Sequence, residues 1–110
     1  CIRDRLAMNA LFICSRNQWR SPTAERVFSK HMNTRSAGTS KQAKRVVSAR
    51  DIVWADHIFV MEYHHKQRLV EQFNKNLRNK KITVLEIPDE YHFMHPDLVE
   101  LLSQAMQPYL

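Results

Sequence analysis

Short apolar runs alternate with apolar residues at helical spacing, and this alternation constrains the fold more than any other feature of the sequence. Continuous apolar runs of this length are typical of strands buried on both faces. They predict strands at residues 10–14, 58–61 and 82–87, with a weaker strand that ends in the turn at residues 36–39. Apolar residues three and four positions apart predict helices. These cover residues 22–32, 48–55 and 64–78, and a last helix begins at Pro96.

Strand and helix therefore follow each other in turn along the whole chain. Strands that alternate with helices form parallel sheets with helices on both faces. We predict an α/β fold, a three-layer sandwich with a four-stranded parallel sheet at its centre. Ligands of such sheets bind beyond the carboxyl ends of the strands. Cys14 ends the first predicted strand and Asp89 follows the last one, so both should lie at the ligand-binding edge.

The length of 110 residues suits one compact domain, which we assign to residues 9–110. We interpret residues 1–8 as an extension, because Met8 resembles a natural start. The apolar stretch at residues 6–14 follows two arginines, as in a signal peptide, but Asn9 interrupts it and no small-residue cleavage site follows. The stretch is also too short to span a membrane. Two cysteines are too few for a secreted disulfide scaffold, so we expect a cytoplasmic protein with no membrane partner.

The net charge of +6 is concentrated in the first half of the chain. Residues 1–50 carry 11 Lys and Arg against 2 Asp and Glu, whereas residues 51–110 carry 6 against 9. A basic half indicates either an anionic partner or a solvated basic face. Aromatic residues do not interleave with the basic ones as a stacking surface for bases requires, so we predict no nucleic-acid partner and leave phosphate open. The single glycine, Gly38, excludes the glycine-rich loops that bind nucleotides.

The segment from Cys14 to Pro22 joins the first predicted strand to the next helix. A helix N-terminus has unpaired backbone N–H groups, and its dipole attracts anions. The five residues between Cys14 and Arg20 can curl so that their amides point inward, and Arg20 can bind two oxygens of a phosphate. The same positive field favours the Cys14 thiolate, a nucleophile toward a bound phosphate. Ser21 can donate its hydroxyl to the sulfur.

This segment resembles the phosphate loop of the low-molecular-weight protein tyrosine phosphatase family, whose pattern is Cys-x-x-Asn-x-x-Arg-Ser-Pro. The pattern residues match in register at Cys14, Asn17, Arg20, Ser21 and Pro22. Three more segments resemble family segments in the family's order. They are the Ser-Ala-Gly-Thr turn at residues 36–39, the Met-Asp strand end at residues 60–62, and the Val-Pro-Asp-Pro-Tyr loop at residues 87–91.

The resemblance implies a flavodoxin-like fold and a metal-free phosphomonoesterase that hydrolyses phosphotyrosine or related aryl phosphates. Cys14 would be the nucleophile that becomes a phosphocysteine. Arg20 would bind the phosphoryl oxygens in the ground state and the transition state. Asp89 would protonate the departing phenolic oxygen and then deprotonate the water that clears the intermediate. No metal or other cofactor would be needed, because the loop amides and Arg20 supply the electrostatic stabilisation.

The resemblance also implies how the loop is supported and what it contacts. Asn17 would support the loop through a hydrogen bond to Ser21 or Ser36. Trp19 and Tyr91 are candidates for the substrate rim and equally for structural packing. The partners would be a phosphorylated protein or a small aryl phosphate, with inorganic phosphate or sulfate bound in the loop. The phosphate-binding loop would consist of Ser15, Arg16, Asn17, Gln18, Trp19, Arg20 and Ser21.

The sequence departs from the family pattern in three places. The stretch at residues 40–57 is shorter than in the family, which removes part of the wall that contacts the substrate ring. Trp19 stands where many members have a second cysteine, so a disulfide to Cys14 within the loop is excluded. Glu90 replaces the proline that follows the catalytic aspartate, which predicts a more mobile acid loop with a second carboxylate.

Five alternatives compete with parts of this interpretation. An arsenate reductase on the same loop would need a relay of further thiols, and Cys1 alone is available. A phosphate-binding module without turnover, or a nucleic-acid binder, would leave the nucleophile and the acid without a role. Asp97 is a rival acid, although a first-turn charge on the last helix explains it more simply. The six histidines show no zinc-site spacing, so we expect surface histidines and no metal.

Overall fold

The computed structural model describes residues 8–110, in which strands and helices alternate as predicted. The extension assigned to residues 1–8 lies outside the described residues except for Met8. The strands are β1 (Asn9–Cys14), β2 (Asn33–Gly38), β3 (His57–Val60) and β4 (Lys81–Val84). The α-helices are α1 (Arg20–Phe28), α2 (Ala49–Trp54), α3 (Tyr63–Phe73) and α4 (Pro96–Met106), and a 3-10 helix covers Gln107–Tyr109.

The strands form one parallel sheet in the order β2-β1-β3-β4. This is the strand order of flavodoxin-like folds, and it confirms the predicted α/β class. β1 lies between two neighbours; its register with β2 runs from Asn9 opposite Asn33 to Cys14 opposite Gly38. The carboxyl end of β1 is therefore surrounded by the ends of other strands, which is where this class of sheet binds ligands.

Each face of the sheet carries its own apolar core, because successive side chains of a strand point to opposite faces. The core beneath α1 and α4 includes Phe12, Phe28, Phe59, Leu98, Leu102 and Met106. The core beneath α2 and α3 includes Leu11, Ile13, Ile52, Ile58, Val60 and Leu69. The two cores confirm the predicted three-layer sandwich with helices on both faces.

Two helices end earlier than the apolar spacing predicts. α1 ends at Phe28 and α3 at Phe73, whereas the spacing continues to residues 32 and 78. The amides of His31 and Met32 both donate to the Phe28 carbonyl, which turns the chain back toward β2. Met32 and Leu77 are nevertheless buried. The spacing therefore identified buried residues correctly but not the helix ends.

The last strand also ends earlier than predicted, at Val84 rather than residue 87. Glu86 has a φ of 57°, a left-handed conformation that interrupts the strand. The chain still follows β3, because the amides of Leu85 and Ile87 donate to the carbonyls of Val60 (2.8 Å) and Met61 (2.9 Å). This path carries residues 88–90 across the carboxyl edge of the sheet.

The single glycine lies where three segments meet at that edge. A Cβ atom on Gly38 would lie 2.4 Å from the Ser15 carbonyl oxygen and 2.6 Å from the Ala43 Cβ. Only glycine therefore permits the end of β2 to contact both the loop after β1 and the segment at residues 40–46.

No helix within residues 8–110 is long and apolar enough to cross a membrane.

Candidate functional site

The connection between β1 and α1 curls around the Cys14 thiol. Cys14 ends β1 and Arg20 begins α1, so residues 15–19 form the loop. The carbonyls of Cys14, Ser15 and Arg16 point outward. They accept hydrogen bonds from the amides of Thr39 (3.0 Å), Ser40 (2.9 Å) and Lys44 (3.1 Å), respectively. A trans peptide places C=O and N–H on opposite sides, so the amides of residues 15–17 face the thiol.

A small cavity of about 50 Å³ opens above the thiol. It is lined by Cys14, Ser15, Arg16, Gln18, Trp19, Arg20 and Asp89. The structure thus brings the predicted nucleophile, arginine and acid to one place, although 75 positions separate Cys14 from Asp89 in the sequence. Asn17 and Ser21, the other two predicted loop residues, are buried beneath the cavity.

The Cys14 sulfur is buried and has two polar neighbours. The Asn17 N–H donates to Sγ at 3.2 Å, and the Ser21 hydroxyl lies 2.9 Å from it. The Ser21 oxygen accepts a hydrogen bond of 2.9 Å from Asn17 Nδ2, which leaves the Ser21 proton free to be donated to the sulfur. Hydrogen bonds of this kind stabilise a thiolate, and they would also stabilise the sulfur as a leaving group.

Asn17 supports the loop through both of the hydroxyls that the sequence analysis offered as alternatives. Its Nδ2 donates to Ser21 Oγ and to Ser36 Oγ, each at 2.9 Å. Ser36 in turn donates to the Glu25 carboxylate. Asn17 has a φ of 55°, a conformation that asparagine tolerates better than most residues. The network therefore fixes the sharpest bend of the loop to β2 and α1.

Arg20 is only 3% exposed, and its guanidinium is oriented from behind. Its Nη1 donates to Glu62 Oε2 at 2.8 Å and to the Ile87 carbonyl at 2.7 Å. Nη2 makes no hydrogen bond within residues 8–110, so the Nε–Nη2 edge can bind two phosphate oxygens. The hydrogen bond from Arg20 lowers the pKa of Glu62, which keeps this carboxylate charged.

Asp89 also lines the cavity, on the segment that crosses the sheet edge. Its Oδ1 is 3.7 Å from Arg20 Nε, and its side chain is 59% exposed. The carboxyl group is therefore accessible to a leaving group and to water. Trp19, a candidate rim residue, lines the same cavity. Tyr91, the other candidate, packs against the core beneath α1 and α4, with its ring 5.0 Å from that of His95.

The expectation that the histidines lie on the surface is wrong for His57 and His65, which are both buried. His65 Nδ1 accepts a hydrogen bond of 3.0 Å from the Glu62 N–H, so Nδ1 carries no proton. Its Nε2 lies 2.9 Å from Ser15 Oγ and therefore donates to it. Burial lowers the pKa of His65 to about 3, with the neighbouring charges of His64 and Arg20 as smaller causes. His65 is a neutral link between the loop and the start of α3.

The sequence did not predict the roles of Glu62 and His65. From the sequence, Glu62 is only part of a strand end, and His65 is expected at the surface. Only the position of Glu62 could have indicated a role in the site. Glu62 comes two residues after a buried strand, at the edge of the sheet where the other site residues lie. The bond from His65 to Ser15 spans 50 positions and has no signal in the sequence.

We expect the free energy of unfolding to decrease as the pH is lowered, because His65 stays neutral in the folded state. Below pH 6.5 the unfolded chain binds a proton at His65 that the folded chain does not bind until about pH 3, so acid favours unfolding. Between pH 7 and pH 5 the wild type should lose about 2 kcal/mol more unfolding free energy than His65→Gln. Urea denaturation at both pH values measures this difference.

The matched control for this prediction is His31→Gln, because His31 is exposed. This variant should show the same pH dependence as the wild type. If His65→Gln does not fold, an NMR titration of the wild-type imidazole gives the same answer. Protonation of His65 above pH 5 would contradict the prediction.

Glu62, His64 and His65 also place potential metal-ligand atoms within 4.8 Å of one another. Those atoms already have protein partners. Glu62 binds Arg20, and both ring nitrogens of His65 are hydrogen-bonded. A metal ion would have to displace these bonds, so we interpret the trio as part of the hydrogen-bond network behind the cavity.

No protein-family model matches the chain, and no curated protein matches it by sequence. Solved structures do match it closely in shape. Wzb of Vibrio vulnificus in complex with benzylphosphonate superposes with a TM-score of 0.75 at 22% identity, covering 94% of this chain and 97% of that one. The chain has the fold of the low-molecular-weight protein tyrosine phosphatases. This confirms the flavodoxin-like architecture that the resemblance of the phosphate loop implied.

Two further structures show the range of activities on this fold. The tyrosine phosphatase Wzb of Escherichia coli K30, solved with phosphate, has a TM-score of 0.74 at 21% identity and covers 92% of this chain and 94% of its own. A YwlE arginine phosphatase, solved as a variant with a phosphorylated active-site serine, has a TM-score of 0.67 at 24% identity and covers 91% and 95%.

Proposed function

We propose that this protein is a phosphatase that hydrolyses phosphotyrosine or related aryl phosphates through a phosphocysteine intermediate. The observation that carries the proposal is the cavity that a buried cysteine, Arg20 and Asp89 line together with a loop whose amides face the thiol. The amides and the free edge of Arg20 match the oxygens of a phosphoryl group. A location in the reducing cytoplasm agrees with a mechanism that depends on a free thiol.

In the first step the Cys14 thiolate attacks phosphorus, and the bond from phosphorus to the phenolic oxygen breaks. Asp89 donates its proton to the departing oxygen, so the phenol leaves neutral. Arg20 and the loop amides stabilise the negative charge on the equatorial oxygens of the transition state. Glu62 acts indirectly, because it orients Arg20 from behind at 2.8 Å.

In the second step water attacks the phosphocysteine, and Asp89, now a carboxylate, accepts a proton from that water. The phosphorus–sulfur bond breaks, and Cys14 leaves as a thiolate that the Ser21 hydroxyl and the Asn17 amide stabilise. Inorganic phosphate departs and the enzyme returns to its starting state. The phosphorylated serine of the YwlE variant supports a covalent intermediate at the corresponding position.

The alternatives explain less of this arrangement. Within residues 8–110 Cys14 is the only cysteine, so the described structure contains no thiol relay for arsenate reduction. A phosphate-binding module without turnover has no need of an exposed carboxylate beside the arginine. Because an arginine phosphatase shares the fold, phosphoarginine is the competing substrate class, and its phosphorus–nitrogen bond would break in place of the ester bond.

Hydrolysis of a substrate panel in the presence of EDTA tests the proposal. The panel contains p-nitrophenyl phosphate, a phosphotyrosine peptide, a phosphoarginine peptide and a phosphoserine peptide. We expect turnover of the two aryl phosphates, unchanged by EDTA. Faster turnover of the phosphoarginine peptide would reassign the substrate class. Phosphate binding without hydrolysis of any substrate would show that the protein is a phosphate-binding module.

We predict that Asp89→Asn slows poor leaving groups far more than good ones. The amide keeps the shape of the side chain but is not acidic enough to protonate the leaving group, so kcat/KM for phenyl phosphate, which reports the first step, should fall about 100-fold. The kcat/KM for p-nitrophenyl phosphate should fall much less, because its leaving group needs little protonation. Steady-state kinetics on a series of phenols with different pKa values measures the two losses.

Asp97→Asn is the matched control, since Asp97 is the rival acid and lies in the first turn of α4. It should leave both rates unchanged. Equal losses on both substrates in Asp89→Asn, or a leaving-group dependence that appears in Asp97→Asn, would assign the general acid elsewhere.

A further inference from the structure

Three exposed basic residues lie on the loop and on the segment bonded to it: Arg16 lines the cavity, Lys44 lines a neighbouring groove, and Lys41 follows Ser40, whose amide binds the loop. Within residues 8–110 none of them has a carboxylate within the 4.0 Å of an ion pair. We call these residues the basic rim. The neighbouring Arg45 differs, because it is paired with the buried Asp51. No Asp or Glu occurs between Glu25 and Asp51 in the sequence, so the charged residues of the segment that carries Lys41 and Lys44 are all basic.

The basic rim is attached to the phosphate loop by its backbone. The amides of Ser40 and Lys44 donate to loop carbonyls at 2.9 and 3.1 Å. Arg16 Nη2 donates to Gln42 Oε1 at 3.2 Å, which joins the loop to the same segment. The base of the segment is bound to Gly38 through Val47 N–H at 2.9 Å. These bonds fix the backbone that carries Lys41 and Lys44 against the loop.

Acidic side chains lie on and near the segment that carries Asp89. Asp89 lines the cavity, and the exposed Glu90 follows it in the chain. The exposed Glu86 and the partly exposed Glu62 line an adjoining pocket with Pro88. A ligand that places negative charge on the basic rim avoids repulsion from these carboxylates. A polyanion that covers the whole mouth would be repelled by these carboxylates.

A groove leads from the cavity toward the basic rim. It has a volume of about 420 Å³ and shares Gln18 and Trp19 with the cavity. Lys44 and the half-exposed Phe93 line it further out. Glu25 also lines it, but accepts a hydrogen bond from Ser36. A phosphorylated side chain in the cavity would therefore have space beside it for neighbouring residues of the same peptide, next to a lysine.

We propose that the basic rim binds acidic residues that flank the phosphorylated residue of a protein substrate. This inference rests on the proposed function and adds the substrate class to it, a phosphoprotein with an acidic sequence beside the phosphate. A polynucleotide is the other anionic partner that a basic surface suggests. The carboxylates of Asp89 and Glu90 beside the cavity disfavour it, because they would repel a polyanion.

Binding and turnover of matched phosphotyrosine peptides test this inference. The peptides differ only in their flanks, which carry Glu, Gln or Lys. Dissociation constants are measured by fluorescence anisotropy on the Cys14→Ser variant, which prevents turnover. The kcat/KM values are measured on the wild type, and both measurements are made at 20 and 300 mM salt. We expect the Glu peptide to bind about fivefold tighter than the Gln peptide at low salt, because exposed ion pairs contribute little each. High salt should remove most of the difference.

The double substitution Lys41→Gln and Lys44→Gln should reduce the ratio between the Glu and Gln peptides to about one. The matched control is Lys30→Gln with Lys75→Gln, which removes the same charge from exposed positions beyond the far ends of α1 and α3. The control should keep the fivefold ratio and the wild-type rate on p-nitrophenyl phosphate.

Equal affinity for the Glu and Gln peptides would overturn the inference, as would equal losses in the two double variants. Competitive displacement of the Glu peptide by a single-stranded oligonucleotide at lower concentration would assign the basic rim to nucleic acid instead. The proposed function fails separately, through absence of turnover on every substrate. In that case the preference for the Glu peptide in the binding measurement still decides the inference.

Discussion

Cys14→Ser should reduce the turnover of an aryl phosphate by at least about 10⁴-fold while phosphate still binds. The hydroxyl that replaces the thiol is far less ionised at neutral pH, so the attack on phosphorus loses its nucleophile. The groups that would bind the oxygens are unchanged, because they are the loop amides and Arg20. Steady-state hydrolysis of p-nitrophenyl phosphate measures the first effect, and calorimetric titration with phosphate measures the second.

Ser21→Ala is the informative companion to this variant. It leaves the thiol in place and removes only the hydroxyl that lies 2.9 Å from the sulfur. Its loss should be smaller, about 10-fold for one hydrogen bond to a charged group, and should fall mainly on the step in which the sulfur leaves. Full activity of Cys14→Ser would overturn the phosphocysteine mechanism, whatever Ser21→Ala does.

Arg20→Lys should lower kcat by about 10³-fold although the charge is retained. A lysine has one ammonium group, whereas Arg20 contacts Glu62 and the Ile87 carbonyl with one nitrogen and leaves a free edge toward the cavity. The ammonium cannot serve both sides, and bidentate binding of the phosphate is lost. Kinetics on p-nitrophenyl phosphate and the inhibition constant of phosphate report the loss.

Arg26→Lys is the matched control on the same helix. Arg26 is exposed in the last turn of α1, at the end far from the cavity. It should leave kcat and the inhibition constant unchanged. An Arg20→Lys variant with nearly wild-type kcat would show that charge alone suffices at this position, and that the oriented guanidinium is not required.

The sequence predicted the fold from local patterns. The run at residues 10–14 appears as the central strand β1, and the alternation of strands and helices appears as a parallel sheet with two cores. Burial on both faces leaves a continuous apolar run, so such strands can be recognised without tertiary information. Helix ends are less visible, because the buried Met32 and Leu77 continue the apolar spacing after the helices have turned.

The contacts behind the cavity show where local reasoning ends. The ion pair of Arg20 with Glu62 spans 42 positions, and the hydrogen bond of Ser15 with His65 spans 50. Charged and polar residues are common at surfaces, so a buried one is indistinguishable in sequence until its partner is known. The position of the proton on His65 likewise depends on tertiary contacts, because Nδ1 accepts a hydrogen bond from the Glu62 amide and the proton must therefore be on Nε2.

By itself, the sequence determined the layers of the fold and the phosphate loop, because apolar periodicity, the Ser-Pro helix start and the spacing of Cys14 and Arg20 are local properties of the chain. Only the tertiary structure decided which groups complete the site. It placed Glu62 behind Arg20, His65 against Ser15, and the backbone of Lys44 against the loop. The physical reason is that parallel strands end at one common edge, so residues far apart in sequence meet there.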